Sequence, residues 1–176
     1  MAGGSLDHSA IGLNVGRLLQ DALEGRPCWV YNSDAATRLS PRRYTFPDAS
    51  VTCDPRDRGR VTEVQSPRLI VEMLSDTTEA YDRGDKFSYY RACPSVQEYV
   101  LIATKRQAMQ VYRRTAQGWT AYQAYGPDDM VQLASLDVHL PVSALYRHSE
   151  YPRTWTSQMA KSRPRRRASP SPVTLI

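Results

Sequence analysis

Pro47-Asp48-Ala49-Ser50-Val51-Thr52-Cys53, Leu69-Ile70-Val71-Glu72-Met73-Leu74, Asp82-Arg83-Gly84-Asp85-Lys86 and Gln97-Glu98-Tyr99-Val100-Leu101-Ile102 are the pieces of one stretch, residues 47–102, whose reading decides the fold. The first piece alternates like a strand. The second is an apolar strand broken by one carboxylate, with Val71 and Met73 on one face and Ile70, Glu72 and Leu74 on the other. A helix is expected from Glu79 to Ala92, ended by Cys93-Pro94-Ser95, because proline cannot continue a helix. Strand, helix and strand over residues 69–102 make a βαβ unit with a right-handed crossover. The strands of Asp48 and Glu72 are expected to be neighbours. An acid inside an apolar strand costs several kcal/mol, roughly, unless it is paired or holds a cation. Asp48 and Lys86 are the expected company of Glu72, and two carboxylates with a lysine at a sheet rim suit a Mg2+-dependent phosphodiesterase site.

Upstream, Ile11, Val15, Leu18, Leu19, Ala22 and Leu23 recur at helical spacing over residues 7–24, with Gly25 placed to stop the helix. Cys28-Trp29-Val30-Tyr31 reads as a strand, paired with Ala35 to Leu39 across Asn32-Ser33-Asp34. Downstream, Ala108 to Arg114 and Trp119 to Ala124 form an antiparallel hairpin around Gln117-Gly118. Val138-His139-Leu140 is a last short strand, and Pro141 takes the first position of a closing helical turn.

The chain has 176 residues, enough for one domain with a real core, and its 41% apolar and 23% charged content is ordinary for a soluble globular protein. No run approaches the ~18 apolar residues of a membrane span. The start, Met1-Ala2-Gly3-Gly4-Ser5, carries no secretory pattern. Cys28, Cys53 and Cys93 are odd in number and widely spaced, so they read as free thiols in a reducing compartment, and the cytoplasm is the expected location. The formal charge of +5 resides in the tail. Residues 152–176 hold six cations and no acid, which leaves 17 basic against 18 acidic residues before them. The domain is therefore drawn as residues 1–151, followed by a basic Pro/Ser/Arg-rich disordered tail, 152–176.

Each candidate has a plain alternative. Asp48 after a proline caps a turn or a strand end. Lys86 lies four residues after Asp82, the spacing of a helix-surface ion pair worth a few tenths of a kcal/mol, roughly. In the functional reading, Asp48, Glu72 and Lys86 are the catalytic set. Asp48 and Glu72 hold one Mg2+ or Mn2+ ion, with the Met73 carbonyl as a further ligand. Arg83, Tyr89 and Tyr90 line the phosphate path, with packing an equal alternative for both tyrosines. His8 has no second ligand at metal spacing and reads as a surface or capping residue.

These same pieces, Pro47-Asp48, Val71-Glu72-Met73-Leu74-Ser75, Asp82 to Lys86 with Tyr89-Tyr90, and Gln97 to Ile102, resemble the Uma-two family, a group of restriction endonucleases in the PD-(D/E)xK nuclease superfamily. The resemblance covers roughly residues 1–148. It implies an α/β fold with a restriction-endonuclease-like core: a mixed central sheet, flanking helices and a C-terminal antiparallel hairpin. It also implies metal-dependent DNA cleavage and a homodimer. Asp48 and Glu72 match the metal-binding acids. Leu74 stands where the superfamily has its lysine, and Lys86 on the following helix is the substitute. Family members carry a helix and a hairpin of the form Glu-x-x-x-Gly-Glu-Val-Tyr ahead of the Met-Ala-Gly-Gly segment, at which this sequence begins. The alternative function is a catalytically silent nuclease fold acting as a DNA-binding or assembly module.

Overall fold

The computed structural model describes residues 5–59 and 62–151. Helix α1, Leu6–Ala22, is capped by Ser5, whose hydroxyl accepts the His8 amide. It buries Ile11, Val15 and Leu19, and Gly25 at φ +73 follows its end. Strand β1, Trp29–Asn32, leads through a turn to β2, Ala36–Ser40, and β3, Arg43–Thr45. Next come β4, Ala49–Thr52, a 3-10 turn at Pro55–Asp57, β5, Glu63–Val64, and β6, Pro67–Leu74.

The expected helix over 79–92 is two helices, α2 (Glu79–Arg83) and α3 (Asp85–Ala92). They part at Gly84, where an added Cβ would lie 3.1 Å from the Ala80 carbonyl oxygen. Strands β7, Glu98–Ala103, β8, Met109–Thr115, β9, Gly118–Trp119, and β10, Gln123–Tyr125, follow. The chain then forms β11 (Met130–Leu133), β12 (Val138–Pro141) and α4 (Val142–Leu145), so Pro141 stands one residue before the helical turn rather than inside it.

Among the described residues the central sheet runs β1-β4-β6-β7-β8-β10, with β9 paired to β8. Strands β6 and β7 are parallel and the other neighbours antiparallel, so the sheet is mixed, and β11 and β12 pair as an antiparallel hairpin. The period-two pattern of β6 separates two cores. Leu69, Val71 and Met73 pack under α1 with Val100 and Ile102 of β7. Ile70 and Leu74 pack under α3 with Phe87, Tyr90, Tyr99 and Leu101.

Two expectations are overturned. Strand β1 pairs with β4, not with β2, which joins β3 and β5 in a separate small sheet. The reason is burial: Leu39 of β2 packs with Tyr90 and Phe87 on the α3 side, so the chain changes faces at the Asn32–Ala35 turn. The cysteines are not all thiols either. Trp29 lies opposite Thr52, so one further step brings residues 28 and 53 together, and Cys28–Cys53 is a disulfide closing 25 residues of sequence. Cys93 is free and buried. The reducing-compartment argument loses its ground with that bond. No helix among the described residues is long and apolar enough to cross a membrane. The tail expected to be disordered, 152–176, lies outside the described residues.

Candidate active site

Asp48 stands directly before β4, and the β4–β6 register chooses its partner. Ala49 is opposite Val71 and Ser50 opposite Ile70, so one further step sets Asp48 against Glu72. Their side chains are held from different elements: Glu72 by α3, and Asp48 by His8 of α1 and the Met73 amide. Asp48 Oδ2 accepts the Met73 amide at 2.6 Å, which fixes its carboxylate against the end of β6, and Oδ1 lies 3.4 Å from His8 Nε2.

Glu72 is 2% exposed. Its Oε1 accepts the Tyr90 hydroxyl at 2.6 Å and lies 2.7 Å from Lys86 Nζ. Lys86 also lies 3.3 Å from Asp82 Oδ1. The Asp82–Lys86 spacing thus does give an ion pair, but a buried one that extends to Glu72 rather than a surface one. Helix α3 places both donors, because Lys86 and Tyr90 are four residues apart and so share a face.

Burial pushes the Glu72 carboxyl up to about 7, against the downward pull of Lys86 and Tyr90, while the charge of Asp48 pushes it further up. For Lys86, burial acts downward but the flanking Glu72 and Asp82 outweigh it, so its pKa is raised and the ammonium stays charged. Burial and Glu72 together push the Tyr90 phenol far up, which keeps it a donor. The hydrogen bond to Asp48 raises His8, against burial.

The residues expected on the phosphate path divide. Tyr90 is fully buried, so it is not on a path at all; its hydroxyl positions Glu72. Arg83 is tied to Glu79 Oε1 at 2.8 Å and Gln110 Oε1 at 2.5 Å. Tyr89 is half-buried and stacks under the Arg43 guanidinium, 3.6 Å from its ring centre.

His8 is the residue the sequence reading passed over. It falls three residues before Ile11 and seven before Val15, on the buried stripe of α1, and a polar side chain on that stripe was the available signal. It opens onto a groove of about 760 Å3 between α1 and the β1–β4 edge, lined also by Arg17, Tyr31, Asn32, Asp48 and Met73.

Among the described residues no three His, Cys, Asp or Glu side chains gather as a ready cage. A Mg2+ ion asks for less: one or two carboxylates, with waters and phosphate oxygens completing the shell. The donor set fits on its chemistry, since Asp48 and Glu72 are hard oxygen donors and the charge on Asp48 disfavours ionisation of Glu72. A cation held by both would relieve that repulsion.

The chain is 38% identical over 148 residues to the uncharacterized protein slr1290 of Synechocystis sp. (strain ATCC 27184 / PCC 6803 / Kazusa), covering 84% of this chain and 78% of that protein. It is 27% identical over 143 residues to a second uncharacterized protein of that organism, sll1609, covering 78% and 80%. Its fold matches a crystal structure described as a putative nuclease belonging to DUF820 from Anabaena variabilis ATCC 29413, with a TM-score of 0.66, 19% identity, and 81% and 82% of the two chains covered. One family profile, described as Uma2, "Putative restriction endonuclease", spans residues 1–143. With the β4–β6 acids and the mixed sheet in view, that match gives the assignment its content: the chain belongs to the Uma2 family.

Proposed function

We propose that the protein is a Mg2+- or Mn2+-dependent endonuclease that hydrolyses phosphodiester bonds of DNA. The observation that carries this reading is the Asp48 carboxylate bound to the Met73 amide, the residue after Glu72, with the Lys86 ammonium 2.7 Å from Glu72. The family description supplies the nuclease class. Asp48 and Glu72, aided by the Met73 carbonyl, would hold the ion, which lends positive charge to the scissile phosphate and makes a water more acidic.

The chain's own groups do the rest. The Met73 amide and His8 hold the Asp48 carboxylate in one orientation. Tyr90 and Lys86 do the same for Glu72. Because Lys86 stays protonated, it serves as a fixed positive charge for the developing phosphorane oxygens rather than as a base. Tyr89, with Arg43 upon it, and Arg83 border the approach of the phosphate chain.

One observation favours a second reading, a silent DNA-binding or assembly module: Glu72 is 2% exposed and already engaged by two donors. Plasmid nicking separates the two. Under the nuclease reading Mg2+ supports nicking by the wild type, and both EDTA and Glu72→Gln abolish it. Under the silent-module reading the wild type and Glu72→Gln give the same background.

A further inference from the structure

The hairpin that delivers the chain to Asp48 carries two aromatic rings that the fold does not use. Strand β3 is the edge of the small β3-β2-β5 sheet. Its side chains alternate. Arg43 turns to α3, with its guanidinium over Tyr89, and Thr45 Oγ1 lies 3.2 Å from the Tyr90 hydroxyl. Tyr44 and Phe46 are in the opposite phase and are left 47% and 61% exposed. Asp48 follows after the buried Pro47, so Phe46 is two residues, at most about 7 Å of chain, from the site.

The surroundings say what would cover these rings. Residues 35–47 contain Arg38, Arg42 and Arg43 and no acid; Arg38 is paired with Glu63 and Arg43 lies over Tyr89, which leaves the exposed Arg42 at the hairpin tip as the cation for a ligand beside the rings. Exposed rings beside an exposed arginine, on a strand leading into a candidate phosphodiesterase site, have the composition of a single-strand platform: the cation follows phosphates and the rings take base faces. A duplex offers its base faces only to one another, so such rings gain little from it.

We propose that Tyr44 and Phe46 form a stacking platform for unpaired bases next to the scissile phosphate. The substrate class is then nucleic acid with a single-stranded stretch, such as an overhang, flap or gap, rather than uninterrupted duplex. This rests on the nuclease reading of Asp48 and Glu72. A base on Phe46 belongs to a nucleotide neighbouring the phosphate at Asp48, and Arg42 at the hairpin tip meets the backbone further along.

The test is fluorescence anisotropy of the full chain with a labelled 20-nucleotide strand and its duplex, in EDTA and at fixed salt, so that binding is read without cleavage. The wild type binds the strand more tightly than the duplex. Tyr44→Ala and Phe46→Ala each weaken strand binding about tenfold and leave duplex binding unchanged. Phe46→Leu keeps the apolar bulk and behaves like Phe46→Ala, whereas Phe46→Trp binds the strand as the wild type does. Equal affinity for strand and duplex, or strand binding unchanged in the Ala and Leu variants, overturns the platform whether or not the protein cleaves. So does a loss of self-association in these variants with strand binding intact, which would give the patch to a second copy. Loss of strand binding in a protein that never nicks DNA leaves the platform standing and removes the nuclease reading instead.

Discussion

Lys86 of α3 reaches across to Glu72 of β6, with 2.7 Å between Nζ and Oε1, and joins a helix to the one acid in a buried strand. Removing the cation leaves that acid without its charge partner. Lys86→Met is therefore expected to destabilise the fold by about 3 kcal/mol, the lower end of the cost of breaking a buried pair. Chemical denaturation gives the value. The double variant Lys86→Met, Glu72→Gln should recover at least half of the loss, because no buried charge remains.

Stability should fall as pH rises across the range in which Glu72 titrates. A carboxyl held above its ordinary value of 4.5, up to about 7, binds its proton more tightly in the folded state. The folded chain then carries more protons than the unfolded one, so this group favours folding at low pH. It loses that contribution as pH climbs from about 4.5 through about 7, by at most about 3.4 kcal/mol. The raised His8 acts in the same sense, its contribution falling as pH rises through its folded value. Denaturation of wild type and Glu72→Gln at pH 5, 6, 7 and 8 checks this. The difference between the two curves should slope downward with pH for the wild type, and parallel curves would refute it.

Divalent-ion stabilisation should run the opposite way. The ion needs Glu72 as a carboxylate, so Mg2+ should raise the melting temperature more at pH 8 than at pH 6. A shift independent of pH would remove Glu72 from the ligand set.

Reduction should weaken the edge of the sheet. Cys28–Cys53 ties the ends of β1 and β4 and closes a loop of 25 residues, which by loop-closure entropy is worth about 3.5 kcal/mol. Denaturation with and without dithiothreitol, with Cys28→Ser as control, should show that loss for the wild type and no further loss for the variant. Identical wild-type curves would mean that the two thiols are free in solution.

The β4–β6 pairing was legible because β6 is a long apolar strand with one acid: period two assigns its two faces, and the alternating strand after Asp48, joined to it through a polar loop, pairs with it. The parallel β6–β7 crossover followed from the same signals. What escaped depended on contacts far apart in sequence. Nothing local announces that residues 28 and 53 meet, and the two-residue β5, paired to β2, is too short to show a period. Tyr89 and Tyr90 look alike in sequence, yet about 100° of helix turn sends one to a surface arginine and the other to Glu72. His8 has no local partner in the sequence, and its contact is Asp48, forty residues on. The Asp82–Lys86 spacing reads as a surface ion pair, the plain alternative to Lys86 beside Glu72, and spacing alone cannot reveal that the pair is buried and shared with Glu72.

The account stands on Asp48 and Glu72 acting as one site, and direct Mn2+ binding followed by electron paramagnetic resonance at pH 8 tests it. The prediction is one ion per wild-type chain, with affinity at least tenfold weaker in Asp48→Asn and in Glu72→Gln while both variants remain folded by circular dichroism. Mn2+ bound equally well by wild type and both variants, or not bound by the wild type at all, would contradict it.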